Sequence, residues 1–221
     1  MTETTTAPAV SGADAAGEVD VRIEEDATPI VRLLGRTLRD SARTGHALAA
    51  LRKPTATVAI RSHDTPQAAT ITFGSGVVEV AGGVLVDPDA TLTVDLNARF
   101  APAAAPEGDA DLAADVLLAL APPIPDWQAA AEHFWTAARA VPGIPDVLIA
   151  VTEGADGIEQ VVLGEGTTHY LIAGAPETLA GVFSGTDDML AVLSSGALGL
   201  QGTLSQLSVL IGASWKVRYD V

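Results

Sequence analysis

The residues able to do chemistry in this chain are few and poorly spaced for it. The four histidines, His46, His63, His133 and His169, lie far apart, and no His-Glu-x-x-His run occurs. Zinc or iron needs several convergent ligands at fixed reach, so no metal is expected. Glu132-His133 is an adjacent acid–base pair, but neighbours on a helix point about 100° apart and do not serve one proton. The absence of cysteine removes thiolate nucleophiles and disulfides, and with them any sign of an oxidising compartment; a cytoplasmic protein is expected. Gly-x-Ser-x-Gly, the turn that exposes a nucleophilic serine, is absent. Asp187-Asp188 follows Thr186 at the start of a short helical run, where acidic side chains serve as caps. Gly74-x-Gly76, Gly164-x-Gly166 and the Gly196–Gly202 run lack the Gly-x-Gly-x-x-Gly pattern between strand and helix that cradles a pyrophosphate, and read as turn and cap glycines. The expectation is a protein without catalysis and without a cofactor.

Charge narrows the partners. A formal net charge of −16 opposes binding to nucleic acid. Against this background Arg32, Arg36, Arg39 and Arg43 recur at spacings of four, three and four, a basic stripe along one helix. With Arg52 and Lys53 they make up half of the 12 basic residues. Two readings stay open: a solvated face that balances Glu24-Glu25-Asp26, or a docking face for an acidic partner or a lipid headgroup.

The elements that must position these residues follow from periodicity. Residues 1–26 are read as a disordered acidic tail: the first twenty are Thr, Ala, Pro, Gly and acid, with neither the basic start of a signal peptide nor an apolar span. No later segment reaches the roughly 20 apolar residues of a membrane-crossing helix, so a soluble protein is expected. Thr28-Pro29 starts a helix that buries Ile30, Val31, Leu34, Leu38 and Ala42. Alternating runs at 57–61, 69–73, 77–81 and 92–96 predict half-buried strands, and 109–120 a helix. Pro122-Pro-Ile-Pro marks the internal boundary, and Asp126 caps a helix with Trp127, Ala131, Phe134, Ala138 and Val141 on one face. The adjacent bulk of Phe134 and Trp135 suits either core packing or the roof of a ligand cavity.

The second half echoes the first. Phe73-Gly74-Ser75-Gly76 and Leu163-Gly164-Glu165-Gly166 stand ninety residues apart, each read as a hairpin turn, and Asp87-Pro88-Asp89 and Ala175-Pro176-Glu177 are each read as preceding a strand. Two diverged modules, 27–123 and 124–221, are expected. Thr203-Leu-Ser-Gln206 is a capping box, and Leu204, Leu207, Ile211 and Trp215 form one helical face.

Pro176-Glu-Thr-Leu-Ala-Gly-Val-Phe-Ser-Gly, Thr186-Asp-Asp-Met-Leu-Ala-Val-Leu-Ser-Ser-Gly and Ala197-Leu-Gly-Leu-Gln-Gly resemble the late strand, the short helix and the final strand of the sterol carrier protein type 2 family. The likeness is clearest over 146–215. It implies an α+β fold of tandem sterol-carrier-like modules, a mostly antiparallel mixed sheet with helices packed on one face. It further implies an apolar ligand, a fatty acyl chain, sterol or other lipid, held between sheet and helices by walls without catalytic residues. The wall positions it implies are Leu179, Phe183, Met189, Leu190, Leu193, Leu198, Leu200, Leu207 and Ile211, to which the roof position Phe134 is added. The alternative function is a non-enzymatic adaptor or cargo-like protein that docks on a partner assembly through its tail or through Arg32, Arg36, Arg39 and Arg43.

Overall fold

The computed structural model describes residues 19–84, 87–154 and 157–220. Strand β1 (Asp20–Ile23) comes first, with Val21 buried. Extended Thr28 and Pro29 at the first helical position then start α1 (Pro29–Arg43), which buries Ile30, Val31, Leu34 and Leu38 on the face its periodicity predicts. A single turn, α2 (Leu48–Leu51), leads into the antiparallel meander β2 (Ala56–Ser62), β3 (Ala68–Gly74) and β4 (Val77–Gly82). Strand β5 (Ala90–Asp95) returns parallel to β2, and the two-residue strands β6 (Ala101–Pro102) and β7 (Glu107–Gly108) pair with it. Helix α3 (Ala110–Ala119) is capped by the Asp109 carboxylate, which accepts from the Asp111 and Leu112 N–H groups at 3.0 Å. The sheet runs β1-β4-β3-β2-β5-β6. Its inward positions, among them Val58, Ile60, Ile71, Phe73 and Leu92, alternate along each strand and pack with α1 and α3 in one apolar cluster.

The run Pro122-Pro-Ile-Pro is irregular, since three prolines in four residues cannot supply the N–H groups of a helix interior or a sheet ladder. The Asp126 carboxylate then caps α4 (Trp127–Ala138), 2.9 Å from the Gln128 N–H. Strands β8 (Val147–Gly154) and β9 (Gly157–Gly164) form a hairpin, and β10 (His169–Gly174) lies parallel on the other side of β8. Helices α5 (Pro176–Ser184) and α6 (Met189–Ser194) precede β11 (Leu198–Gln201), antiparallel to β10, and α7 (Leu204–Tyr219) completes the order. The second sheet runs β11-β10-β8-β9. Its cluster centres on Phe134 and Phe183, ring centroids 5.3 Å apart. The chain is α+β, and antiparallel ladders outnumber parallel ones in its two mixed sheets. Both sheets share one pattern: a central strand, β2 or β8, antiparallel to the next strand in sequence and parallel to β5 or β10.

Several local expectations are corrected. Residues 1–18 of the expected tail lie outside the described residues, but 19–26 are not tail: β1 adds to the edge of β4, and Ile23 packs onto Gly35 of α1, where a methyl group would already collide. Pro176–Ser184 is a helix, not a strand, because Pro176 presets the first turn, Leu179, Val182 and Phe183 share a buried face, and Gly185 at φ 74° ends it in the left-handed region. Ala175-Pro176-Glu177 therefore precedes a helix. Gly164-Glu165-Gly166 is not a hairpin turn, since β9 and β10 lie on opposite sides of β8 and the connection crosses its end. Finally, α7 is rotated from its expected orientation: Leu210, Ala213, Ser214 and Val217 are buried, whereas Leu204 is 84% exposed and Trp215 43%. The small Ala213 and Ser214 let the helix approach its neighbours closely. The Trp215 indole stays outside and donates to the Asp188 carboxylate at 3.0 Å.

Candidate functional site

The residues expected to wall a cavity in the second half divide into two groups. Phe134, Leu179 and Phe183 are fully buried and Met189 and Leu198 nearly so; they belong to one packed cluster in the core. Leu193, Leu200, Leu207 and Ile211 are half-buried and Leu190 is exposed, all around α6, β11 and α7.

Two arginines of the stripe, Arg36 and Arg39, reach across the junction between the two halves. Arg36, its side chain 12% exposed, donates to the Ser184 carbonyl at the end of α5 and lies 3.0 Å from Asp40. Burial lowers the pKa of its guanidinium, and Asp40 opposes that shift. Arg39 bridges to the Asp220 carboxylate at 3.1 Å, and its Nε donates to the Val21 carbonyl at 3.4 Å. Arg43 pairs with Asp40 at 2.7 Å, and Arg32 turns back onto the Ala27 carbonyl at 3.1 Å. None of these contacts reaches Glu24, Glu25 or Asp26; Glu24 instead accepts from the Gly82 N–H at 2.9 Å.

Two arginines that sequence reasoning passed over complete the junction. Arg218 of α7, only 2% exposed, donates to the carbonyls of Gly185 (3.1 Å) and Thr186 (2.7 Å) and, across the junction, to Leu96 (3.0 Å). Arg99 grips Asp187 through two parallel bonds of 2.7 and 2.6 Å. That bond raises the guanidinium pKa. Gly181 lets the pair lie against α5, since any side chain there would strike the Asp187 carboxylate. The available signal for Arg218 was its place on the buried face of α7, where a charge must find partners.

Beside this clasp the halves do not close completely. An inner chamber of about 240 Å³ is lined by apolar side chains including Leu33, Leu96, Phe100 and Leu120, with Thr37 and Arg99 at its edge. It adjoins an outer chamber of about 600 Å³ bounded by Arg39, Arg43 and Asp220 on one side and by Pro123, Pro125, Ala129 and His133 on the other. Arg36, Asp40, Pro122, Ile124 and Thr186 line both. The proline run expected only as a boundary thus forms one wall. Its three prolines lack N–H groups and present ring carbon to the cleft.

Other candidate polar residues make local contacts: His133 lines the outer chamber, and the His63 ring lies 3.8 Å from the Asp64 carboxylate. The His46 ring is 2.8 Å from the Leu118 carbonyl, and His169 is 3.2 Å from Gly166. Asp188 caps α6 through the Ala191 N–H at 2.9 Å, whereas Asp187 serves Arg99. Asp146 accepts from the Thr168 and Thr167 N–H groups at 2.9 and 3.0 Å, and these bonds hold its carboxyl below the usual range. Among the described residues no three His, Asp or Glu converge as a metal site, and no helix is long and apolar enough to cross a membrane.

No family model matches the chain, and no curated protein does. Among solved structures it is similar to palmitated sterol carrier protein 2-like 2 from Aedes aegypti, at TM-score 0.34 and 15% identity over 41% of this chain and 95% of that one. A possible sterol carrier protein from Thermus thermophilus aligns at TM-score 0.28 and 17% identity, over 42% of this chain and 84% of the other. The ubiquinone synthesis protein UbiJ-SCP2 aligns at TM-score 0.21 and 12% identity, over 86% and 89% of the respective chains.

Proposed function

We propose that this chain is a non-catalytic binding protein for an apolar small molecule of the fatty acyl, sterol or other lipid class, and that the molecule lies in the cleft between the two halves. The observation that carries the reading is the pair of adjoining chambers, about 240 and 600 Å³, the larger within the size range of small-molecule sites, lined between them by Leu33, Leu96, Phe100, Leu120, Ile124 and the proline run. Leu179, Phe183, Met189 and Leu198 pack into the second core around Phe134, and neither chamber is lined by them, which argues against a site among them. The strand pattern common to both sheets supports reading the halves as diverged copies of one module, with the site between the copies.

Titration of the full chain with a fluorescent fatty acyl probe tests this. Micromolar binding is expected, blocked by Ile124→Trp, which adds bulk to a side chain lining both chambers, and unaffected by Leu200→Trp in the second half. The opposite pattern, loss with Leu200→Trp and retention with Ile124→Trp, would move the site out of the cleft and overturn the reading.

A further inference from the structure

The outer chamber has a charge that the rest of the chain does not prepare for. Arg36, Arg39 and Arg43 line it against Asp40 and Asp220, an excess of one positive charge in a chain of net charge −16, and Arg218 is bonded to the Thr186 carbonyl of the lining. Two of these four arginines serve the fold: Arg36 donates to the Ser184 carbonyl and Arg218 to those of Gly185 and Thr186. The other two face the opening. Arg43, its side chain 73% exposed, is held by the Asp40 carboxylate, and Arg39 by the Asp220 carboxylate and the Val21 carbonyl. A guanidinium has five N–H donors, so each retains unused ones.

Asp220 is placed against ordinary helix electrostatics. It is the C-cap of α7, in the left-handed region at φ 51°, ψ 58°, next to the carbonyl end of the helix where a carboxylate is disfavoured. Its side chain is 62% exposed, and Arg39 is the cation that compensates it. A carboxylate so held is easily exchanged for another.

We propose that the outer chamber is an anion site whose resting occupant is the chain's own Asp220 carboxylate, and that a carboxylate or phosphate head on the bound molecule replaces it on Arg39 and Arg43. This rests on the cleft reading above and adds to it the chemistry of the head and a built-in competitor. The tail enters the inner chamber past Ile124, while the head stays among the arginines. Phosphate and carboxylate share the recognising chemistry, bidentate donation from a guanidinium.

The test is calorimetric titration of the full chain, and of its Asp220→Asn, Arg43→Gln and Ile124→Trp variants, with decanoate, decyl phosphate and decanol in low-salt buffer. The expected result is binding of at least one anionic ligand about tenfold or more tighter than decanol. Asp220→Asn should strengthen anion binding several-fold and Arg43→Gln weaken it several-fold, with decanol unmoved by either. The tighter of the two anions identifies the head. If all three ligands bind alike, are blocked by Ile124→Trp and ignore the charge variants, the anion site is overturned while the cleft reading stands. If none of the three binds, both are overturned.

Discussion

Replacing Arg218 with methionine removes the side chain that joins α5, α7 and the β5 end of the first sheet, and its cost can be worked from three hydrogen bonds. Each goes from a charged donor to a backbone carbonyl, and such bonds contribute about 1.5–3 kcal/mol. The Gly185 carbonyl belongs to a buried residue and is left without a donor, whereas Thr186 and Leu96 are half-buried and regain water. Part of the loss is recovered, because Arg218 forms no carboxylate pair among the described residues and its desolvated charge is balanced chiefly by carbonyl dipoles. The net expectation is a loss of about 2–4 kcal/mol on urea denaturation. Arg218→Lys should lose nearly as much, since an ammonium keeps the charge but cannot span Thr186 and Leu96 as the guanidinium fork does. Arg36 presses on the same helix end with the same charge, so Arg36→Met combined with Arg218→Met should cost less than the sum of the two. A loss below about 1 kcal/mol for Arg218→Met, or a wild-type midpoint for Arg218→Lys, would refute the clasp.

Other outcomes follow from local geometry. Gly185→Ala should destabilise by about 1 kcal/mol or more, because its φ of 74° disfavours a side chain and a Cβ there would lie 2.9 Å from the Arg218 backbone; thermal melts measure it. Asp126→Ala should cost about 1 kcal/mol in urea by removing the cap of α4. The depressed Asp146 carboxyl contributes stability at pH values above its ordinary range and loses that contribution as the pH falls through its folded-state value. Asp146→Asn should therefore lower the melting temperature at pH 7 and flatten its fall toward pH 3, and equal acid slopes for both proteins would contradict the assignment.

Most strands and helices were legible because their residues obey one period. The runs predicted at 57–61, 69–73 and 77–81 fall within β2, β3 and β4, the run at 92–96 overlaps β5, the helix expected over 109–120 is α3 with Asp109 as its cap, and the Asp126 cap is read from residue type alone. The misreadings have physical causes. Pro176–Ser184 is apolar on most faces and too short for its period to separate helix from strand, so only the flanking Pro176 and Gly185 carry the signal. In α7 the bulkiest stripe, Leu204 to Trp215, is not the buried one, because close packing against other helices selects the small residues Ala213 and Ser214. The cleft was the least legible feature. Leu33, Leu96, Leu120 and Ile124 each satisfy an ordinary apolar pattern, and nothing in their spacing tells that they meet. The arginine stripe was visible, but its partners at Ser184 and Asp220 stand 148 and 181 residues away.

Those separations bear on the order in which the molecule assembles and comes apart. Each apolar cluster forms within about a hundred consecutive residues, 19–120 and 127–217 if the later Tyr219 is set aside. The bonds across the junction join residues 88, 122, 148 and 181 positions apart. Contacts of long separation bear the larger closure entropy and are rewarded only once the local cores exist, so docking of the halves is the late step of folding. In the native state the same hierarchy makes undocking an opening of lower energy than unfolding of either core. Amides near 184–186 and at the end of α7 should then exchange with solvent before those of the central strands β2 and β8. Because a cleft ligand touches both halves, its binding energy acts on this opening, by about RT ln(1 + [L]/Kd), and leaves each half's own unfolding untouched. Occupancy would thus be recorded as slower breathing at the junction, a readout that requires no change in the average structure.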